Sequence, residues 1–154
     1  MARYRHGLDS TNARDFVTDP PISTEGNRRA MELATFFRST IGGLDQIYVS
    51  GYLRSLQIGQ QLCWTTNKKM QMDPGLSNVP HSKAVLPSAM QTFMSFPSID
   101  LRYNPSSREP NLENTVLESL PRMLDVGLDI AQRMSSGQKV AVVTHTLAGN
   151  LGLA

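Results

Sequence analysis

The chain has little of what marks disulfide, metal or membrane proteins. Cys63 is the only cysteine in 154 residues, so no internal disulfide can form. One cysteine and three histidines fall short of a structural zinc cluster. No apolar run is long enough to span a bilayer, and no apolar stretch at the N-terminus reads as a leader. Lysine and arginine form no run and the net charge is only +2, which argues against a general nucleic-acid binder. Charged residues make up 18% and hydrophobic residues 40%, an ordinary balance that argues against disorder. There is no internal repeat and no linker. The expectation is one soluble domain over residues 1–154, intracellular and cytoplasmic, with no membrane partner.

Along the chain, short apolar runs alternate with amphipathic ones. Met1 to Tyr4 is a weak strand candidate. Residues 8–22 read as a loop stiffened by Asp19-Pro20-Pro21. Ser23 is placed to cap a helix whose apolar residues Ala30, Leu33, Ala34, Phe37 and Ile41 recur at helical spacing, with Gly42-Gly43 as its end. Gln46 to Val49 is β-rich. Ser50 then reads as the cap of a second helix, with Leu53, Leu56, Gln60 and Cys63 on one face. Met70-Gln71-Met72 is a short strand candidate closed by Asp73-Pro74-Gly75. Residues 76–111 hold five prolines and read as an irregular insertion with one helical piece near 86–95. Residues 112–135 are helical by pattern through Leu117, Leu120, Leu124, Ile130 and Met134, with Pro121 starting or kinking the helix. Lys139 to Val143 is the clearest buried strand. Tyr48 and Trp64 are expected in the core, and His81 on the surface.

This alternation predicts an α/β fold with a mostly parallel sheet. Ligands of such sheets bind beyond the carboxyl ends of the strands. Three strand candidates end there in polar or reactive residues: Arg5-His6-Gly7, Ser50, and Thr144-His145. Taken alone, Arg54 reads as a solvated helix residue, and His145 reads equally well as a core histidine or as a site residue. Taken together, the set suits phosphoryl transfer, which needs a nucleophile, fixed positive charge and a proton donor for the leaving group. A neutral His6 can attack through one nitrogen while the other is held. Gly7 lets the backbone turn closely. Arg5 offers a planar fork to phosphate oxygens. Arg54 lies one turn into the second helix, near the same edge, and His145 can bind phosphate when protonated.

Arg5-His6-Gly7, Asp19-Pro20-Pro21-Ile22-Ser23-Thr24-Glu25-Gly26, the segment Tyr48 to Gln57, Asp73-Pro74-Gly75-Leu76 and Val142-Val143-Thr144-His145 together resemble the histidine phosphatase superfamily, with its phosphoglycerate mutase-like three-layer α/β/α fold. The Asp-Pro-Pro and Pro-Gly-Leu segments resemble the branch of ubiquitin-associated and SH3-containing tyrosine phosphatases, the suppressors of T-cell receptor signalling. That resemblance implies His6 as the phospho-accepting nucleophile and Arg5, Gly7, Arg54 and His145 as the phosphate pocket. It implies hydrolysis of a phosphomonoester through a phosphohistidine, with no metal and no cofactor. The partner would be a phosphorylated small molecule or phosphoprotein, and a homodimer is the assembly to look for.

The chain departs from the family pattern at several positions. Leu8-Asp9 stands where that branch has Glu-Arg, putting a carboxylate in place of a phosphate-binding arginine. Asn78 stands where the family has an acidic glutamate, and loss of a general acid costs a factor of about 10² to 10⁴. Thr146 stands where another branch has an aspartate after its second histidine, and Gly51, Ile58 and Gly59 replace the usual Pro, Thr and Ala. Little precedes Arg5 and nine residues follow His145, so the fold is expected in a form shortened at both ends. The expected activity is a phosphatase of reduced efficiency. The alternative from the same residues is a catalytically inactive pseudophosphatase that binds or regulates.

Overall fold

A computed structural model describes residues 19–77, 89–106 and 116–145. The strand expected at 1–4, together with His81, Asn78 and Thr146, lies outside those residues.

Three short strands form a parallel sheet: β1 (Gln46–Val49), β2 (Met70–Met72) and β3 (Val140–Val143), in the order β2-β1-β3. Strand geometry sends alternate side chains to opposite faces, and β1 uses both. Ile47 and Val49 join Leu56, Leu62, Cys63 and Met70 in one apolar cluster, into which Ala34 also packs. Tyr48 joins Val126, Ile130 and Leu76 on the other face. Helices α1 (Thr24–Ser39) and α2 (Leu53–Thr66) therefore cover one face, and α4 (Val116–Arg133) covers the other. The result is the expected three-layer α/β/α arrangement.

The local rules behind these elements are mostly ordinary ones. Ser23 caps α1, its hydroxyl accepting from the Gly26 N–H at 3.0 Å. Beyond α1 the chain turns through Gly42 and Gly43 at φ 78° and 99°, a region that favours glycine. At Gly59, α2 rides directly on the sheet. A Cβ there would lie 2.5 Å from Val49 Cγ1 and 3.0 Å from Met70 Sδ. Helix α3 (Ala89–Ser95) falls in the proline-rich segment, and that segment is fastened to the sheet. Its Ile99 bridges to Met70, with Met70 N–H donating to Ser98 O at 2.9 Å and Asp100 N–H to Met70 O at 2.9 Å.

Three details differ from the sequence expectations. Trp64 is 66% exposed, because its position on α2 faces away from the sheet. Leu33 of α1 is likewise exposed, while Ala30 and Ala34 make the close contact. On α4 the buried stripe is Ser119, Arg122, Met123, Val126 and Ile130. Leu124 and Leu128 are exposed, since the buried face is set by the Met123–Val126–Ile130 row at helical spacing and these two lie off it, and Met134, just past the helix end, is exposed as well.

Parallel pairing brings all three strand ends to one edge, and the ladder continues past the strands. Ser50 N–H donates to Val143 O at 3.1 Å, and Asp73 N–H donates to Val49 O at 2.9 Å. Ser50, Asp73, Thr144 and His145 thus emerge side by side.

Candidate functional site

His145 follows β3 directly and is buried. Ser50 follows β1 and is fully buried. The two meet with His145 Nε2 at 3.0 Å from Ser50 Oγ. Ser50 was expected to cap α2, and the structure corrects this. The cap position is Tyr52, which makes no side-chain capping bond. The Asp19 carboxylate performs that job from a distant loop, accepting the Leu53 N–H at 2.7 Å. Ser50 is released for His145, and also accepts the Tyr52 N–H at 3.4 Å.

Arg54 sits in the first turn of α2, half-buried, with its guanidinium against the other face of the pair. Its Nε donates to His145 Nδ1 at 3.3 Å, and Nη2 lies 3.2 Å from the same atom. The ring of Tyr52 packs against both, edge-on to His145 at 5.0 Å and beneath the Arg54 Cζ at 4.9 Å. Burial first, and then the Arg54 charge, lower the His145 pKa to about 4. His145 is therefore a neutral imidazole at neutral pH. Its tautomer follows from the partners. A guanidinium only donates, so Nδ1 carries the lone pair and Nε2 carries the proton that Ser50 Oγ accepts.

A turn beside this cluster is held as firmly. The Thr144 hydroxyl donates to Leu76 O at 2.8 Å. Arg122, buried on α4, donates through Nη1 to Gly75 O and, at 3.1 Å, to Ser77 O. Asp73, fully buried, accepts from Gly75 N–H at 2.8 Å, the Tyr103 hydroxyl at 2.7 Å and Ser106 N–H at 3.1 Å. Burial and the Asp73 hydrogen bond together push the Tyr103 hydroxyl far above its ordinary pKa. Among the described residues no group of three or more His, Cys, Asp or Glu could hold a metal ion.

Of the residues predicted from sequence, the structure brings Arg54 and His145 together. Arg5, His6, Gly7, Leu8 and Asp9 lie outside the described residues. Sequence reasoning missed Ser50 as a histidine partner, Tyr52 as the shared packing surface, and Arg122 and Thr144 as clamps on the 75–77 turn. The sequence signal available for Arg122 was an arginine at helical spacing with Val126 and Ile130 on the apolar side of α4.

Comparison with known proteins fits this geometry. Residues 4–154 match the family model of the histidine phosphatase superfamily, branch 1. No curated protein matches the chain. Among solved structures it is similar to the ecdysone phosphate phosphatase from Bombix mori, solved in complex with tungstate, at 19% identity and a TM-score of 0.69, covering 92% of this chain and 61% of that one. It is also similar to mycobacterial hydrolase 1, at 14% identity and a TM-score of 0.55, covering 89% of this chain and 71% of that one. At such identities the likeness carries the fold, which is phosphoglycerate mutase-like. The chain spans about 61% of the length of the Bombix mori phosphatase. With a family model matched from residue 4 to residue 154, and with Arg54 and His145 joined at the strand edge, the chain belongs to the histidine phosphatase superfamily, branch 1.

Proposed function

We propose that the protein is a phosphomonoester hydrolase that works through a phosphohistidine on His6. The observation that carries this reading is the contact of Arg54 with His145, a donor fork and an imidazole held together at the carboxyl edge of a parallel sheet. Family membership supports His6 as nucleophile, with Arg5 and Gly7 beside it. Both structural likenesses are to proteins named as hydrolases, one of them a phosphatase.

In the first step a His6 ring nitrogen attacks phosphorus and the bond from phosphorus to the leaving oxygen breaks. Arg54 and Arg5 hold the phosphoryl oxygens as charge develops on them. In the second step water attacks phosphorus, the P–N bond breaks, and inorganic phosphate leaves. No metal takes part in this scheme. Asn78 supplies no proton to the leaving group, so efficiency is reduced and good leaving groups are favoured. The substrate class is a phosphorylated small molecule or phosphoprotein in the cytoplasm, and the Asp-Pro-Pro segment favours the ubiquitin-associated and SH3-containing branch.

Turnover of an activated aryl phosphate tests this directly, with His6→Ala as control. The wild type should hydrolyse it slowly and alkyl phosphates at least about 10²-fold more slowly. Equal rates for wild type and His6→Ala would leave the pseudophosphatase reading in its place.

A further inference from the structure

Tyr52 stands where a helix ordinarily carries its cap. It precedes the first turn of α2 with an extended backbone, φ −72° and ψ 144°, and its side chain makes no capping bond. Ser, Thr, Asp and Asn favour that position because their side-chain oxygens accept a free N–H of the first turn. Here the Asp19 carboxylate accepts the Leu53 N–H at 2.7 Å, so capping is done from another segment and residue 52 is open to a side chain of another kind. The side chain present is an aromatic ring only 5% exposed.

What the ring touches points to its role. Residues two apart within a helix do not face each other, so a Tyr52 inside α2 would not meet Arg54. From its extended position ahead of the helix it does, with Arg54 Cζ 4.9 Å from the ring centroid. The same ring meets His145 at 5.0 Å between centroids, the two planes 82° apart. Arg54 is therefore held in two directions. Its Nε and Nη2 lie 3.3 and 3.2 Å from His145 Nδ1, a contact at a single atom about which the guanidinium plane can still turn. The Tyr52 face lies against that plane and opposes the turn, and the attraction of a cation for an aromatic face adds to the contact.

We propose that Tyr52 is a positioning residue for the phosphoryl-transfer chemistry, its ring face holding the Arg54 guanidinium in the plane that keeps the fork against His145 at the strand edge. This rests on the phosphatase reading above and adds to it the residue that orients the arginine. The role belongs to the π face and not to the hydroxyl.

Activated aryl-phosphate turnover in a double-mutant cycle tests it. Tyr52→Leu should lower kcat/KM by about five- to thirtyfold, the range of a partly desolvated cation–π contact, and Tyr52→Phe should recover most of that loss. In an Arg54→Ala background, Tyr52→Leu should cost less than about threefold, because the group it positions is gone. Equal losses in the two backgrounds overturn the proposal and reduce Tyr52 to packing. A Tyr52→Phe protein as impaired as Tyr52→Leu also overturns it, by moving the role to the hydroxyl. Tyr52→Met, an unbranched side chain without a ring face, should match Tyr52→Leu and replaces it if leucine unfolds the chain. A second measurement is independent of turnover. The Arg54 Nε–H resonance, assigned by its loss in Arg54→Ala, should be sharp and protected from solvent exchange in wild type and Tyr52→Phe, and exchange-broadened in Tyr52→Leu or Tyr52→Met. A resonance equally sharp without the ring, or broad in wild type, contradicts the proposal. A wild type with no turnover overturns the phosphatase reading, and the Arg54 resonance then decides by itself whether Tyr52 holds the guanidinium.

Discussion

Gly59 offers a sharp test of how the fold positions the site. It lies on the sheet-facing side of α2, and a Cβ there would sit 2.5 Å from Val49 Cγ1. Ordinary carbon contacts begin near 3.4 Å, so Gly59→Ala needs a displacement of about 1 Å. Val49 is fully buried in the central strand, and its branched side chain has few rotamers into which to retreat. The helix must move instead. Overpacking of this kind costs about 1–3 kcal/mol, while alanine regains about 1 kcal/mol of helix propensity. The net expectation is a loss of up to about 2 kcal/mol, or a drop of up to roughly 8 °C in Tm for a domain of this size. Thermal melting by circular dichroism reads it. Because α2 also carries Arg54, the same displacement strains its contacts to His145, and aryl-phosphate turnover should fall with stability. Pairing Gly59→Ala with Val49→Ala should recover part of the loss, giving a coupling of about 1 kcal/mol or more in a double-mutant cycle. A Gly59→Ala protein that melts higher than wild type refutes the reasoning, because propensity would then have outweighed a clash that is not there.

Two further predictions follow from buried titratable groups. His145 has a folded pKa of about 4, below its ordinary 6.5, so the unfolded chain binds more protons between those values. Its contribution to stability is therefore complete above about pH 6.5 and is lost as pH falls to about 4, by up to roughly 3 kcal/mol, and denaturant unfolding of wild type against His145→Gln across that range should show it. Cys63 is buried and its thiol is pushed up to about 12 by burial, so a thiol reagent at about pH 8 should label it only on unfolding, and fast labelling of the native protein would contradict the packing of α2 on the sheet.

How much was readable beforehand depended on whether the signal was local. The run Val140–Val143 is apolar enough to be a strand by itself, and its next residues, Thr144-His145, are placed by chain connectivity. Arg54 could be assigned to the site because helix α2 begins just beyond β1. Ser50 was misread because a serine ahead of a helix is the usual mark of a cap, whereas the true capping carboxylate, Asp19, comes from 34 residues away. No local pattern reveals such a substitution. Arg122 was missed for the same reason. Its partners are the carbonyls of Gly75 and Ser77, 45 or more residues distant, and only the packed fold brings them together. Trp64 shows the converse error, since bulk alone suggests burial while its position on α2 decides against it.

The central claim is covalent phosphoryl transfer to His6, with Arg54 and His145 at the same phosphate. Rapid acid-free quenching after mixing with a radiolabelled aryl phosphate tests it most directly. The account predicts an alkali-stable, acid-labile phosphoprotein in wild type, absent in His6→Ala and strongly reduced in Arg54→Ala. A wild-type protein that hydrolyses substrate without ever carrying that label, or a label that persists in His6→Ala, would contradict it.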